Sequence, residues 1–242
     1  MTTGLLLIHA FPLDARMWGD LADGASVVAP DLPGFGGAPA APGGVMTMAV
    51  AAARCVDVLD SAGLDRVVVT GLSMGGYVAL ELWREVPDRI AGLIFANTKA
   101  EADTSEAADN RRALAARLRS EGNVLIDAPP PLLGERADDA LRARVRGWIA
   151  DQAPEAIAAA ALGMAARPDS VDDLPHISVP TLVITSDLDA LIPPVTTAAM
   201  ADRIPGAGLE MIEGVGHLSN VEAPDRFSAL VLGHARACGA KV

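Results

Sequence analysis

The chain has 242 residues, of which 51% are hydrophobic, enough to bury one sizeable core and few enough to suit one α/β domain with an insertion. Its formal net charge of −12 argues against a nucleic-acid partner, because phosphate binding demands a concentrated basic face. The nearest candidate, Arg142-Ala143-Arg144-Val145-Arg146, reads as a solvated helix face, and no apolar run approaches the roughly 18 residues of a membrane span.

In chain order, the first element is the run Leu5-Leu6-Leu7-Ile8. It has no basic segment before it and His9 directly after it, so it predicts a buried parallel strand rather than an export signal, and a cytoplasmic location is expected. Further strand-like runs lie at 26–30, 66–71, 90–97, 181–185 and 209–213, most of them continuously apolar, as in strands covered on both faces. Helical patterns at 48–61, 74–85, 194–203 and 223–237 alternate with them, which predicts an α/β fold. Its mostly parallel sheet has about six strands and helices on both faces. Residues 36–44, rich in Ala, Pro and Gly, read as a surface loop. Cys55, on the apolar stripe of the 48–61 helix, and Cys238 have no CxxC or Cys/His spacing. They read as reduced structural thiols, and no metal or cofactor is expected.

Between residues 98 and 178 the strand rhythm stops. Helical patterns appear at 105–120, 137–151 and 154–166, the first two separated by Pro129-Pro130-Pro131. A structureless connection of that length is improbable, so residues 99–178 are expected to form a helical cap inserted into a core made of 1–98 and 179–242.

The chemistry is expected beyond the carboxyl ends of the strands. Gly71-Leu72-Ser73-Met74-Gly75-Gly76 sits between a strand and a helix, where small neighbours permit a sharp turn that lifts the Ser73 hydroxyl clear, a nucleophile elbow. A serine hydroxyl needs an imidazole to take its proton and a carboxylate to hold that imidazole. Asp187 and Asp189 follow one later strand and His217 the next, in the chain order Ser, Asp, His. Asp31, ahead of a Pro-Gly turn, is better suited to binding backbone amides. Gly34-Phe35-Gly36-Gly37 fails as a dinucleotide loop, since the third glycine is missing and Pro39 stands where a helix would start.

With these stand Leu7-Ile8-His9-Ala10-Phe11-Pro12-Leu13-Asp14, Asp31-Leu32-Pro33-Gly34-Phe35-Gly36, Ser186-Asp187-Leu188-Asp189 with Pro193, and Gly214-Val215-Gly216-His217-Leu218-Ser219, and the resemblance they carry spans nearly the whole chain. The chain resembles the α/β-hydrolase fold family, and within it small capped esterases, enol-lactonases and cofactor-free haloperoxidases. The resemblance implies Ser73 as nucleophile, His217 as base and Asp189, four residues before Pro193, as the acid in preference to Asp187. It also implies oxyanion donors in the Phe11 and Met74 backbone amides and a structural role for His9. Two departures stand out: Ser186 occupies the usual glycine position, and His9-Ala10 replaces the common His-Gly. The implied activity is cofactor-independent cleavage of a small-molecule carboxylic ester or lactone through an acyl-enzyme, by a monomer or homodimer. Perhydrolysis, carbon–carbon bond hydrolysis and a non-catalytic ligand receptor on the same fold are the other readings.

Overall fold

The computed structural model describes residues 3–242. Six strands, β1 (Thr3–Ile8), β2 (Val27–Val28), β3 (Arg66–Leu72), β4 (Ile90–Ala96), β5 (Thr181–Ser186) and β6 (Gly208–Ile212), form one sheet in the order β2-β1-β3-β4-β5-β6. Every pairing is parallel. The inner strands are the continuously apolar ones: Leu5 through Ile8, Val68, Val69, Leu93 through Ala96, Val183 and Ile184 are all fully buried. At the edge, β6 alternates, leaving Leu209 and Met211 exposed while Ile212 is buried.

Helices α1 (Met48–Ser61) and α2 (Met74–Glu85) flank the first half of the sheet. Thr47 caps α1 by accepting from the Val50 amide. Cys55 is buried on the inner face of α1, and burial pushes its thiol up to about 12, which makes it inert. Three helices follow β4: α3 (Ser105–Glu121), capped by Thr104, α4 (Asp139–Ala150), capped by Asp138, and α5 (Pro154–Ala165), opened by a proline in its first turn. The chain then returns to the sheet with α6 (Pro194–Arg203), α7 (Ser219–Glu222) and α8 (Pro224–Ala237). The one-turn α7 is the helix that the sequence pattern does not announce; its four residues are too few to show a helical period.

How α5 sits on the sheet domain is set by small residues. Ala158, Ala160 and Ala161 are fully buried, Met46 N donates to Ala159 O at 3.0 Å, and a Cβ on Gly163 would run into the Met46 carbonyl. The helix therefore docks almost backbone to backbone on the loop ahead of α1. The 36–44 loop lies at the surface, and Asp31 holds it by accepting from Ala15 N at 3.0 Å and Gly37 N at 2.9 Å. The Arg142, Arg144 and Arg146 side chains are exposed on α4, while Val145 faces inward. Among the described residues, no helix is long and apolar enough to cross a membrane.

Candidate active site

At the end of β3 the chain turns into α2 within one residue, Ser73, at φ 55° and ψ −114°. A non-glycine residue in the left-handed region costs on the order of 1–3 kcal/mol and persists only where its surroundings over-determine it. Here Ser73 N donates to Ala96 O at 2.9 Å, and the Thr98 hydroxyl donates to Ser73 O at 2.8 Å. Glycines make the corner possible. A Cβ on Gly71 would strike the Gly75 carbonyl, one on Gly75 would strike Ile8 O, and one on Gly76 would strike the Thr98 hydroxyl. Ser73 caps α2, so Met74 N is the first amide of a helix N-terminus, and Phe11 follows the end of β1 nearby. Neither amide has a protein acceptor among the described residues.

His9, fully buried, accepts from Leu32 N on Nε2 at 3.0 Å and places Nδ1 3.1 Å from Ala10 O. Burial lowers its pKa below 6.5, with the Ala10 carbonyl, Asp31 and Asp14 only partly offsetting it. A neutral imidazole with both nitrogens engaged shapes the loop that carries Phe11 and has no free site for proton transfer.

Beyond β5, Asp189 is buried and both of its oxygens are used. Oδ1 accepts from Leu191 N and Ile192 N at 2.9 Å each; Oδ2 accepts from Asn97 Nδ2 at 3.0 Å and lies 2.8 Å from His217 Nδ1. Burial by itself raises this carboxyl, but the hydrogen bond and charge of His217, the Ile192 amide and Asn97 outweigh it and hold the group below 3.8. Asp187, by contrast, is exposed and accepts from Gly214 N at 2.6 Å, which fastens the loop before His217. With Nδ1 turned to Asp189, the other imidazole nitrogen of His217 is the one left for proton transfer. His217, Ser73 and Phe11 line one cavity of about 510 Å³, within the range of small-molecule sites. Leu125, Leu132 and Met164, from the segment after β4, supply much of its apolar wall.

Asn97 is the residue that sequence reasoning missed. It sits at φ 45°, donates from Nδ2 to both Ser186 Oγ at 2.5 Å and Asp189 Oδ2, and accepts from Ser219 Oγ at 2.6 Å. Ser186 in turn donates to Gly216 O at 2.5 Å, next to His217. The serine at the usual glycine position therefore ties β5 to the histidine loop. The available signal was position, a polar residue at the carboxyl end of β4, joined to asparagine's tolerance of left-handed backbone. Glu222, on α7, was also missed; it accepts from Gly216 N and Gly134 N at 2.9 Å each. His234 is half-buried, with Nε2 3.2 Å from Pro180 O.

Comparison with known proteins agrees with this architecture. The sequence profile described as "Alpha/beta hydrolase family" matches residues 5–230. A pimeloyl-[acyl-carrier protein] methyl ester esterase of Aeromonas salmonicida (strain A449) is 27% identical over 94% of this chain and 93% of its own length. A thermophilic esterase from Thermogutta terrifontis, solved with malate bound, superposes with a TM-score of 0.92 at 41% identity, covering 98% of this chain and 92% of that one. The enol-lactonase from Burkholderia xenovorans LB400 gives a TM-score of 0.84 at 26% identity over 97% and 92% of the two chains.

Proposed function

The chain belongs to the alpha/beta hydrolase family, and from that premise we propose that it cleaves a carboxylic ester or lactone through an acyl-enzyme on Ser73. The observation that carries the reading is the 2.8 Å pairing of His217 Nδ1 with Asp189, in a cavity that also holds a serine on a strained strand-to-helix corner. Esterases and an enol-lactonase among the relatives support the same bond class.

Ser73 Oγ attacks the carbonyl carbon while its proton passes to His217 Nε2; Asp189 keeps the imidazole in the Nδ1–H tautomer and stabilises it once protonated. The carbonyl oxygen becomes an oxyanion facing the Phe11 and Met74 amides, each worth roughly 3–4 kcal/mol in the transition state. His217 returns the proton to the departing alkoxide, leaving Ser73 acylated. Water then gives its proton to His217, attacks the acyl carbon, and releases the acid as Ser73 recovers its hydrogen. Residues 99–178 act as a cap over the strand ends, and substrate choice resides in their side chains.

Intact-mass analysis after treatment with a fluorophosphonate tests the nucleophile. Wild type gains one adduct and Ser73→Ala gains none; an unlabelled wild type, or an equally labelled variant, removes the assignment.

A further inference from the structure

Beyond the end of β4, the cavity wall carries a charge cluster that ester hydrolysis itself does not require. Lys99, Asp103 and Arg111 line the same cavity as Ser73 and His217. Asp103 is buried among three cations: Arg111 Nε at 2.6 Å, Arg167 Nη1 at 2.7 Å and Lys99 Nζ at 3.8 Å. Arg167, itself buried, lies over the Tyr77 ring at 4.0 Å and donates to the Met164 and Glu101 carbonyls, so its terminal nitrogens are occupied. Lys99 and Arg111 differ from it. Lys99 Nζ is too far from Asp103 to hydrogen-bond, and the Arg111 terminal nitrogens have no protein acceptor among the described residues. Both side chains are about a quarter exposed. Tyr77, one turn beyond Ser73, also lines the cavity, and its hydroxyl has no protein partner among the described residues.

One carboxylate against three cations leaves the cluster positive, and the exposed Glu101 carboxylate nearby reduces that excess without cancelling it. This surplus is local, in a chain whose net charge is −12. It is also held close to the chemistry: Lys99 is the residue after Thr98, whose hydroxyl bonds the Ser73 carbonyl. Unmatched cationic donors in a partly desolvated wall attract an anion more strongly than they would in water.

Building on the hydrolase reading, we propose that Lys99 and Arg111 form an anion subsite that receives a carboxylate on the acyl or alcohol part of the substrate, so that the preferred substrates are half-esters or lactones bearing a free carboxylate. The two oxygens of one carboxylate give each of these two cations an acceptor, and the apolar residues Leu125, Leu132 and Met164 suit the hydrocarbon between that charge and the reacting carbonyl.

The test compares kcat/KM for the mono-4-nitrophenyl esters of glutaric and adipic acid with that for neutral 4-nitrophenyl hexanoate. Wild type should favour the better half-ester by about tenfold or more, consistent with a charge-assisted contact. Lys99→Met and Arg111→Gln should each reduce that ratio about tenfold, while Arg117→Ala, on the exposed face of α3, leaves it unchanged. Because Arg111 braces Asp103 and its variant could fail to fold, Lys99→Met, which removes no hydrogen bond, suffices alone. A wild-type ratio near one, or a ratio that neither variant moves, overturns the subsite. Calorimetric titration with adipate separates the two readings. If no ester is turned over but adipate binds wild type and not Lys99→Met, the hydrolase reading fails and the subsite stands; if esters turn over and adipate does not bind, the subsite fails alone.

Discussion

Around Asp189 the polar atoms are matched: two amides on one oxygen, Asn97 and His217 on the other, with Ser186 and Ser219 closing the circuit behind. In the cavity, Lys99 and the ends of Arg111 have donors without protein acceptors among the described residues, on a lining that includes the apolar Leu125, Leu132 and Met164. The first region is complete by itself, and a ligand adds nothing to its hydrogen bonding. The second leaves donors free for a ligand. On the proposed reading the contrast divides labour: strand ends fix where the bond breaks, and residues 99–178 select what is brought there.

The largest effects should come from the matched side. Ser73→Ala and His217→Ala are expected to lower kcat about 10⁴-fold or more, measured on a neutral aryl ester. Asp189→Asn should approach that loss, at about 10³- to 10⁴-fold, because an amide stabilises the wrong imidazole tautomer. Asp187→Asn, which disturbs only the Gly214 contact, should cost no more than several-fold. The reverse ranking would break the division by moving the acid to the exposed loop.

Asn97→Ala sharpens it, since Asn97 touches the acid rather than the cavity. It should cost roughly 10- to 100-fold in kcat with little change in KM, as for loss of an orienting partner. Glu222→Gln should be milder. An amide can accept from only one of the Gly134 and Gly216 N–H groups in the present geometry, so a loss of about 1–2 kcal/mol in stability is expected by denaturant titration.

The smallest effect concerns pH. His9 is held neutral below its ordinary 6.5, so between that value and the lowered one the unfolded chain binds more protons than the folded. Stability is therefore kept above pH 6.5 and declines as pH falls through it, whereas Asp14, Asp103 and Asp189, all lowered from 3.8, add their losses only in stronger acid. The drop in melting temperature from pH 8 to pH 5 should shrink in His9→Gln, and an unchanged drop would show that His9 does not carry it.

The sheet was legible because buried parallel strands are unbroken apolar runs, and each of the six observed strands lies on one of the expected runs. Ser73, His217 and the two aspartates could be picked out because special turns need glycine and because strand ends gather polar groups. Asn97 could not, since its importance lies in contacts with residues 89, 92 and 122 positions away, which no local pattern encodes. The cationic wall was hidden for the same reason: Lys99, Asp103, Arg111 and Arg167 are ordinary helix and loop charges until α3 and α5 are packed together.

One consequence follows from Glu222. Its carboxylate bridges Gly134 and Gly216, Leu218 N donates to Leu132 O at 2.9 Å, and Cβ atoms on Gly134 or Gly216 would each collide with the other strand of this crossing. The segment carrying Leu132 is thus riveted to the loop carrying His217. Any swing of that segment has to pivot about this joint or pull it apart, and pulling it apart draws the imidazole out of line.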